Sequence, residues 1–143
     1  MIPSVWVDTS FLYAMFVETD QNHAAAQRVW REATVRRIPC LSSELVYGEL
    51  GSLFAYRFGH RIAFSRMSLL LDSVLIKQVF ADSRVQSGAL KWWRRYQDQS
   101  FSMVDCVSFE FMRLLGLTHA LSFDTDFSVA GFTTVREPDT LPC

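Results

Sequence analysis

Four carboxylates stand where local structure does not need them: Asp8, Glu49, Asp105 and Asp124, with Asp126 two positions beyond the last. Asp8 closes the short apolar run Ser4-Val-Trp-Val, which reads as a buried strand. Asp124 and Asp126 follow a second such run, Ala120-Leu-Ser-Phe. In an open α/β sheet, ligands bind outside the carboxyl ends of the strands. Glu49 lies four residues after Leu45 and four before Leu53, so it shares a helix face with apolar residues. A carboxylate there is costly without a partner such as an arginine or a metal. Asp105 falls in the first turn of a helix opened by Ser102, where negative charge is favourable. Taken singly, each acid has a structural explanation: a helix cap, an Asx turn, or a long Glu reaching past the core to water. Several acids converging on one edge of one sheet call for a chemical one.

Two carboxylates about 4 Å apart repel by roughly 4 kcal/mol at an effective dielectric near 20. A cluster is tolerated when some members are protonated or a cation neutralises them. A ligand set of oxygens, without His or Cys, favours Mg²⁺ or Mn²⁺ over zinc. Such ions activate water and offset charge in phosphodiester cleavage. A competing chemistry, phosphotransfer through an Asp nucleophile of the haloacid-dehalogenase kind, wants a second acid two residues after the first. Position 10 is Ser, so that pattern fails.

The elements that must position these acids alternate between strand and helix. Ser4–Asp8 reads as a strand, Thr9–Met15 begins a helix, and Gln21–Trp30 is an Ala-rich helix with Asn22 as its cap. A strand is expected over Arg37–Leu41, followed by a helix capped by Ser42 or Ser43 and ended by Gly59. A helix over Ile62–Leu71, a strand over Val74–Val79 and a helix from Asp82 or Ser83 to Tyr96 come next. Ser102-Met-Val-Asp105 has capping-box spacing, and Gly116 ends the helix it opens. Strands at Ala120–Phe123 and Thr133–Val135 complete a mainly parallel sheet covered on both faces. No internal repeat or linker interrupts the chain, so residues 1–143 are expected to form one domain.

Half of the 143 residues are hydrophobic, enough for a sizeable core. The formal net charge of −1 is not that of a protein that coats nucleic acid through a global basic field. Three local basic clusters stand out: Arg28, Arg31, Arg36 and Arg37; Arg57, His60, Arg61 and Arg66; and Lys91, Arg94 and Arg95. Trp92 and Trp93 are adjacent on a helix, so at least one belongs to the core, although tryptophans also stack on bases. Cys40, Cys106 and Cys143 lack zinc-ligand spacing and fit reduced thiols in a cytoplasmic protein. Met1–Asp8 lacks the pattern of a signal peptide, and no apolar run is long enough to span a bilayer, so no membrane association is expected.

The four acidic segments together resemble the PIN-domain ribonucleases, particularly the VapC-like toxins. Val5-Trp-Val-Asp-Thr-Ser-Phe-Leu12 is similar to that family's opening strand, Glu44-Leu-Val-Tyr-Gly-Glu-Leu50 to the helix carrying its second acid, and Ser102-Met-Val-Asp-Cys-Val-Ser-Phe109 to the segment carrying its third. Leu121-Ser-Phe-Asp-Thr-Asp-Phe-Ser-Val-Ala-Gly-Phe132 is similar to its closing motif. The resemblance implies a three-layer α/β/α sandwich with a mainly parallel five-stranded sheet. It implies a Mg²⁺- or Mn²⁺-dependent endoribonuclease in which Asp8, Glu49, Asp105 and Asp124 are catalytic and hold metal, with Asp126 as a further ligand. It also implies an RNA substrate, single-stranded or structured, a cognate antitoxin protein and a homodimer. The alternative is a non-catalytic RNA- or partner-binding module on the same scaffold, whose mark would be lost acids; none is lost.

Overall fold

A computed structural model of the chain describes residues 3–143. Met1 and Ile2, the start of the stretch read above for a signal peptide, lie outside the described residues. The element order is β1 (Val5–Val7), α1 (Thr9–Phe16), α2 (His23–Val35), β2 (Cys40–Ser43), α3 (Glu44–Phe58), α4 (His60–Asp72), β3 (Ile76–Val79), α5 (Ser83–Arg95), α6 (Met103–Leu115), β4 (His119–Leu121), α7 (Asp126–Val129) and β5 (Thr133–Val135), with a 3₁₀ turn at Pro138–Thr140. The strands form one sheet in the order β3-β2-β1-β4-β5, and every pairing is parallel. The mainly parallel sheet expected from sequence is thus wholly parallel, and each connection between strands passes through helix, as parallel neighbours need a crossover.

β1 sits at the centre and is buried on both faces. Side chains alternate across a strand, so Trp6 points one way, stacking on Phe111 of α6 with ring centroids 5.5 Å apart. Val5 and Val7 point the other way, and all three are fully buried. From β1 the chain steps outward through β2 to β3, then returns to add β4 and β5 on the other side. The order therefore reverses between β1 and β4, the kind of crevice where open α/β sheets bind ligands.

Two strand boundaries that differ from the sequence reading have identifiable causes. β2 begins at Cys40 and not at Arg37, because Arg37 adopts a positive φ of 56° as the chain turns. Pro39, which has no N–H to give a ladder, instead accepts from Val5 N through its carbonyl. β4 stops at Leu121 and not at Phe123, because the amide of Phe123 donates to the Ser10 hydroxyl. The helix starts follow the capping residues closely. Ser43 Oγ accepts from Val46 N, Asp82 from Val85 N, and Ser102 and Asp105 form a reciprocal capping box. Asn22 is the exception, since its side chain makes no cap bond.

α5 packs closely on α6, and the contact requires Gly88. A Cβ at this position would lie 2.2 Å from Glu110 Oε2 and 2.3 Å from its Cδ. Glu110 cannot readily move aside. It is buried, accepts from Trp92 Nε1 at 3.1 Å, and is gripped by Arg113 through two bonds of 2.9 and 2.8 Å. Gly88→Ala should therefore cost about 1–3 kcal/mol, the usual range for overpacking, despite the better helix propensity of Ala. Urea denaturation of the two proteins would check this, and equal midpoints would show that the helices separate freely.

Candidate metal centre

Parallel pairing of β1 with β4 aligns Val7 with Leu121. The next residue on each chain, Asp8 and Ser122, thereby emerges side by side at the carboxyl edge, and Asp8 N continues the ladder to Leu121 O at 3.0 Å. Asp8 is buried, with 4% of its surface exposed. Its Oδ2 accepts from the hydroxyls of Ser10 and Ser122, both at 2.9 Å, and more weakly from Ser10 N at 3.4 Å. The same two hydroxyls steady the turn after β4. Ser122 Oγ accepts from Asp124 N and Ser10 Oγ from Phe123 N, both at 3.0 Å. Below Asp8, Ser42 Oγ donates to Val7 O at 2.8 Å and ties β2 to the end of β1.

Asp105 arrives from the first turn of α6. Its Oδ2 accepts from Ser102 N at 3.0 Å, so the capping explanation of this residue is correct and leaves Oδ1 for the acids. Asp124 Oδ1 accepts from Asp126 N at 3.1 Å. Asp105, Asp124 and Asp126 can each offer a carboxylate oxygen within 4.8 Å of the others. Asp8 lies outside that triad but near enough for the Asp105 charge to act on it. Two hydroxyls and an amide gather on one oxygen of Asp8, and a single backbone amide occupies one oxygen each of Asp105 and Asp124. They fix the carboxylate and leave the other oxygen to bind.

The charge state records the crowding. Burial, then the charge of Asp105, pushes Asp8 up to about 6 against the pull of its serine donors. Burial, then the charge of Asp124 and the hydrogen bond that protonated Asp126 donates to Asp105, pushes Asp126 up to about 7. Asp105 is also raised, chiefly by burial. Without a cation the triad therefore begins to take up a proton as pH falls through about 7, at Asp126. A hard divalent ion fits this donor set of rigid, crowded oxygens, since it offsets the repulsion that otherwise protonates them.

Glu49 differs from its sequence reading in burial. The core face of α3 carries Val46, Tyr47, Leu50 and Phe54, and Glu49 beside it is exposed to solvent, so it needs no buried partner. It lies outside the triad. One and two turns further along α3, Leu53 and Arg57 line an open cavity of about 520 Å³ that also includes Ser10 and Asp124. Glu49 continues that row toward the helix N-terminus. Sequence reasoning missed Ser10 and Ser122 as partners of the acids. Their signal is the spacing Asp8-x-Ser10 and Ser122-x-Asp124, two positions apart at strand ends, which suits Asx- and Ser/Thr-type turns.

A family model for the PIN domain matches residues 5–133. The chain is 37% identical over 133 residues to the 23S rRNA-specific endonuclease VapC20 of Mycobacterium tuberculosis strain CDC 1551 / Oshkosh, covering 92% of this chain and 98% of that protein. The crystal structure of Mycobacterium tuberculosis VapC20, described as a Sarcin-Ricin loop cleaving toxin, superposes with a TM-score of 0.83 at 34% identity, covering 93% of this chain and 99% of that one. PAE2754 from Pyrobaculum aerophilum shares the fold, with a TM-score of 0.66 at 16% identity over 99% of this chain and 93% of the other.

The raised acids make metal-free stability depend on pH with a definite sign. Between the unfolded value of 3.8 and the folded value of about 6 for Asp8, the folded protein binds more protons than the unfolded one, so stability falls as pH rises. The Asp8 contribution is about 3 kcal/mol by this linkage, and Asp126 extends the window to about 7. In EDTA the protein should melt at a higher temperature at pH 5 than at pH 7.5, and Asp8→Asn should flatten the difference. Calorimetry across that range checks it. A wild-type melting temperature that rises with pH would mean that other groups govern the titration.

Proposed function

Since the chain belongs to the PIN-domain family, a family of nucleases, we propose that its acidic edge hydrolyses RNA with a divalent cation and that the protein is the toxin of a toxin–antitoxin pair. The observation that carries the reading is the triad Asp105, Asp124 and Asp126 beside buried Asp8, at the point where the strand order reverses. Mg²⁺ or Mn²⁺ bound there supplies Lewis-acid stabilisation of the phosphate and activation of water. Asp8, Asp105 and Asp124 hold that ion through the oxygens their serine and amide donors leave free. Asp126 would be a further ligand, its proton lost to solvent in the metal-bound form. Glu49, exposed on the row that borders the cavity, acts from the open side of the site. The Ser10 and Ser122 hydroxyls are taken up in orienting Asp8 and the turn beyond it, so neither is free to act as a nucleophile.

Likeness to VapC20 along nearly the whole of both chains supports a loop of 23S rRNA as the substrate class. In this reading residues 1–143 act as one nuclease domain in the cytoplasm. No described helix is long and apolar enough to cross a membrane, and Cys40, Cys106 and Cys143 are free thiols. The antitoxin and a second copy of the chain are the proposed protein partners. The α3–α4 hairpin and the segment after it leave apolar side chains in water, among them Tyr56 (89% exposed), Phe64 (77%) and Val74 (94%). Such a surface suits coverage by a protein.

Inducible expression of the wild type in a bacterial host should arrest growth and create new 5′ ends in 23S rRNA. Asp8→Asn, Asp105→Asn and Asp124→Asn should each lower cleavage by on the order of 10²-fold or more, since each removes a ligand charge. Growth curves and mapping of RNA ends provide the measurement. Arrest undiminished in all three variants, without new ends, would favour the non-catalytic binding module.

The metal itself is tested by melting. A ligand that binds only the folded state adds about 2.7 kcal/mol at a hundredfold excess over Kd. Mn²⁺ should therefore raise the melting temperature of the wild type at pH 7.5 and raise that of Asp8→Asn much less. Glu49→Gln should fold as well as the wild type, because the side chain is exposed, and should cleave far more slowly.

A further inference from the structure

Two of the three basic clusters are partly engaged within the fold. Arg28 and Arg36 pair with Glu137 and Glu32, Arg57 donates to Tyr13, and Arg66 donates to the Phe16 carbonyl. The cluster on α5 is different. Arg84, Lys91 and Arg95 fall at spacings of seven and four, which places them on one helix face. All three are exposed, and among the described residues none forms a salt bridge. They line a continuous groove between α5 and α6, formed by two overlapping cavities of about 350 and 330 Å³ that share Gly88, Lys91, Glu110 and Arg113.

The groove has a built floor. Gly88 leaves the α5 backbone bare there, and the single carboxylate in the lining, Glu110, is buried and saturated by Arg113 and Trp92. The Arg113 guanidinium is thus locked in place by Glu110 while 59% of its side chain faces solvent. Arg84 to Arg95 covers about 16 Å along α5 at 1.5 Å per residue. The same helix that carries Arg113 carries Asp105, about 12 Å away along its axis, so the groove and the acidic centre are held at a fixed separation by one rigid element.

We propose that this α5–α6 groove is a second RNA-binding site, which holds the phosphate backbone of the substrate at a distance from the scissile bond. The inference rests on the ribonuclease reading above. It accounts for how a chain of net charge −1 retains a polyanion: a local row of fixed cations does what a global basic field cannot. Phosphate contacts of this kind position the nucleic acid without reading its sequence, so recognition of bases is left to the cavity beside Asp124.

The test is the salt dependence of binding. A fluorescein-labelled stem–loop RNA is titrated with the full chain carrying Asp8→Asn, by anisotropy over a range of KCl. Each lost phosphate contact lowers the slope of log K against log salt by about 0.7 to 0.9. Adding Arg84→Ala, Lys91→Ala and Arg95→Ala together should reduce the slope by about 2 to 3 and weaken binding by about tenfold or more at 150 mM salt. Restoring charge with Arg84→Lys, Lys91→Arg and Arg95→Lys should recover most of it. In the cleaving protein the loss should fall on KM rather than kcat. Removing three other exposed cations, Arg31, Arg61 and Arg136, should leave the slope nearly unchanged. An unchanged slope in the α5 variant overturns the proposal, and so does an equal drop in the control variant, which would make the effect one of net charge alone. An acidic protein as the true occupant would appear as the first of these results. Failure of the ribonuclease reading would be seen separately, as absence of cleavage by the wild type.

Discussion

Mutual repulsion of carboxylates at the carboxyl edge of the sheet is the constraint around which this molecule is arranged. Asp8 is almost wholly buried, and Asp105, Asp124 and Asp126 can bring oxygens within 4.8 Å of one another. Left to itself such a cluster would relax toward water or protonate. Three devices hold it. The serine hydroxyls of Ser10 and Ser122 satisfy one oxygen of Asp8. The capping box occupies one oxygen of Asp105, and the Asp126 amide occupies one of Asp124. Protonation is the third, since burial and then the neighbouring charges push Asp8 up to about 6 and Asp126 up to about 7. A hard divalent cation would relieve the same crowding, which is why this donor set fits one.

Parallel topology is what makes the crowding achievable. Adjacent parallel strands end on the same edge, and the reversal of strand order between β1 and β4 leaves that edge open. α6 runs back from there toward the start of β4, so its N-terminal turn delivers Asp105 to the acids that follow β1 and β4. Its far half meets α5 through Gly88 and the Glu110–Arg113 pair. One helix thus serves the acidic centre at one end and a basic groove at the other. Opposite charges are separated by packed structure, which prevents the α5 cations from neutralising the acids they serve.

Most of the elements were legible in the sequence because they are locally determined. Ser43, Asp82, Ser102 and Gly116 mark helix ends through bonds to their own neighbours, and these marks held. Boundaries moved where a distant partner intervened: the Ser10 hydroxyl, 113 positions away, ends β4 early by taking the Phe123 amide. Asn22 failed as a side-chain cap although its type suited the role. The spacing of Glu49 to Leu45 and Leu53 calls for either a buried partner or a side chain reaching past the core to water, and Glu49 takes the second course. The actual core face of α3 is rotated from that row, through Val46, Tyr47, Leu50 and Phe54, because which stripe of a largely apolar helix is buried depends on what packs against it.

By itself the sequence determined the alternation of strand and helix, the caps, and the presence of acids at strand ends, since each follows from interactions within a few residues. The same local reading found the oxygen-only character of the candidate ligands. Only the tertiary structure decided the rest: that Ser10 and Ser122 hold Asp8 from opposite ends of the chain, that Asp105, Asp124 and Asp126 form the tight triad while Glu49 stays in solvent, and that Arg84, Lys91 and Arg95 form no salt bridge among the described residues while Arg28, Arg36 and Arg113 do. Those outcomes depend on register between β1 and β4 and on the approach of α5 to α6. Both are set by burial of side chains far apart in sequence, to which no local pattern is sensitive.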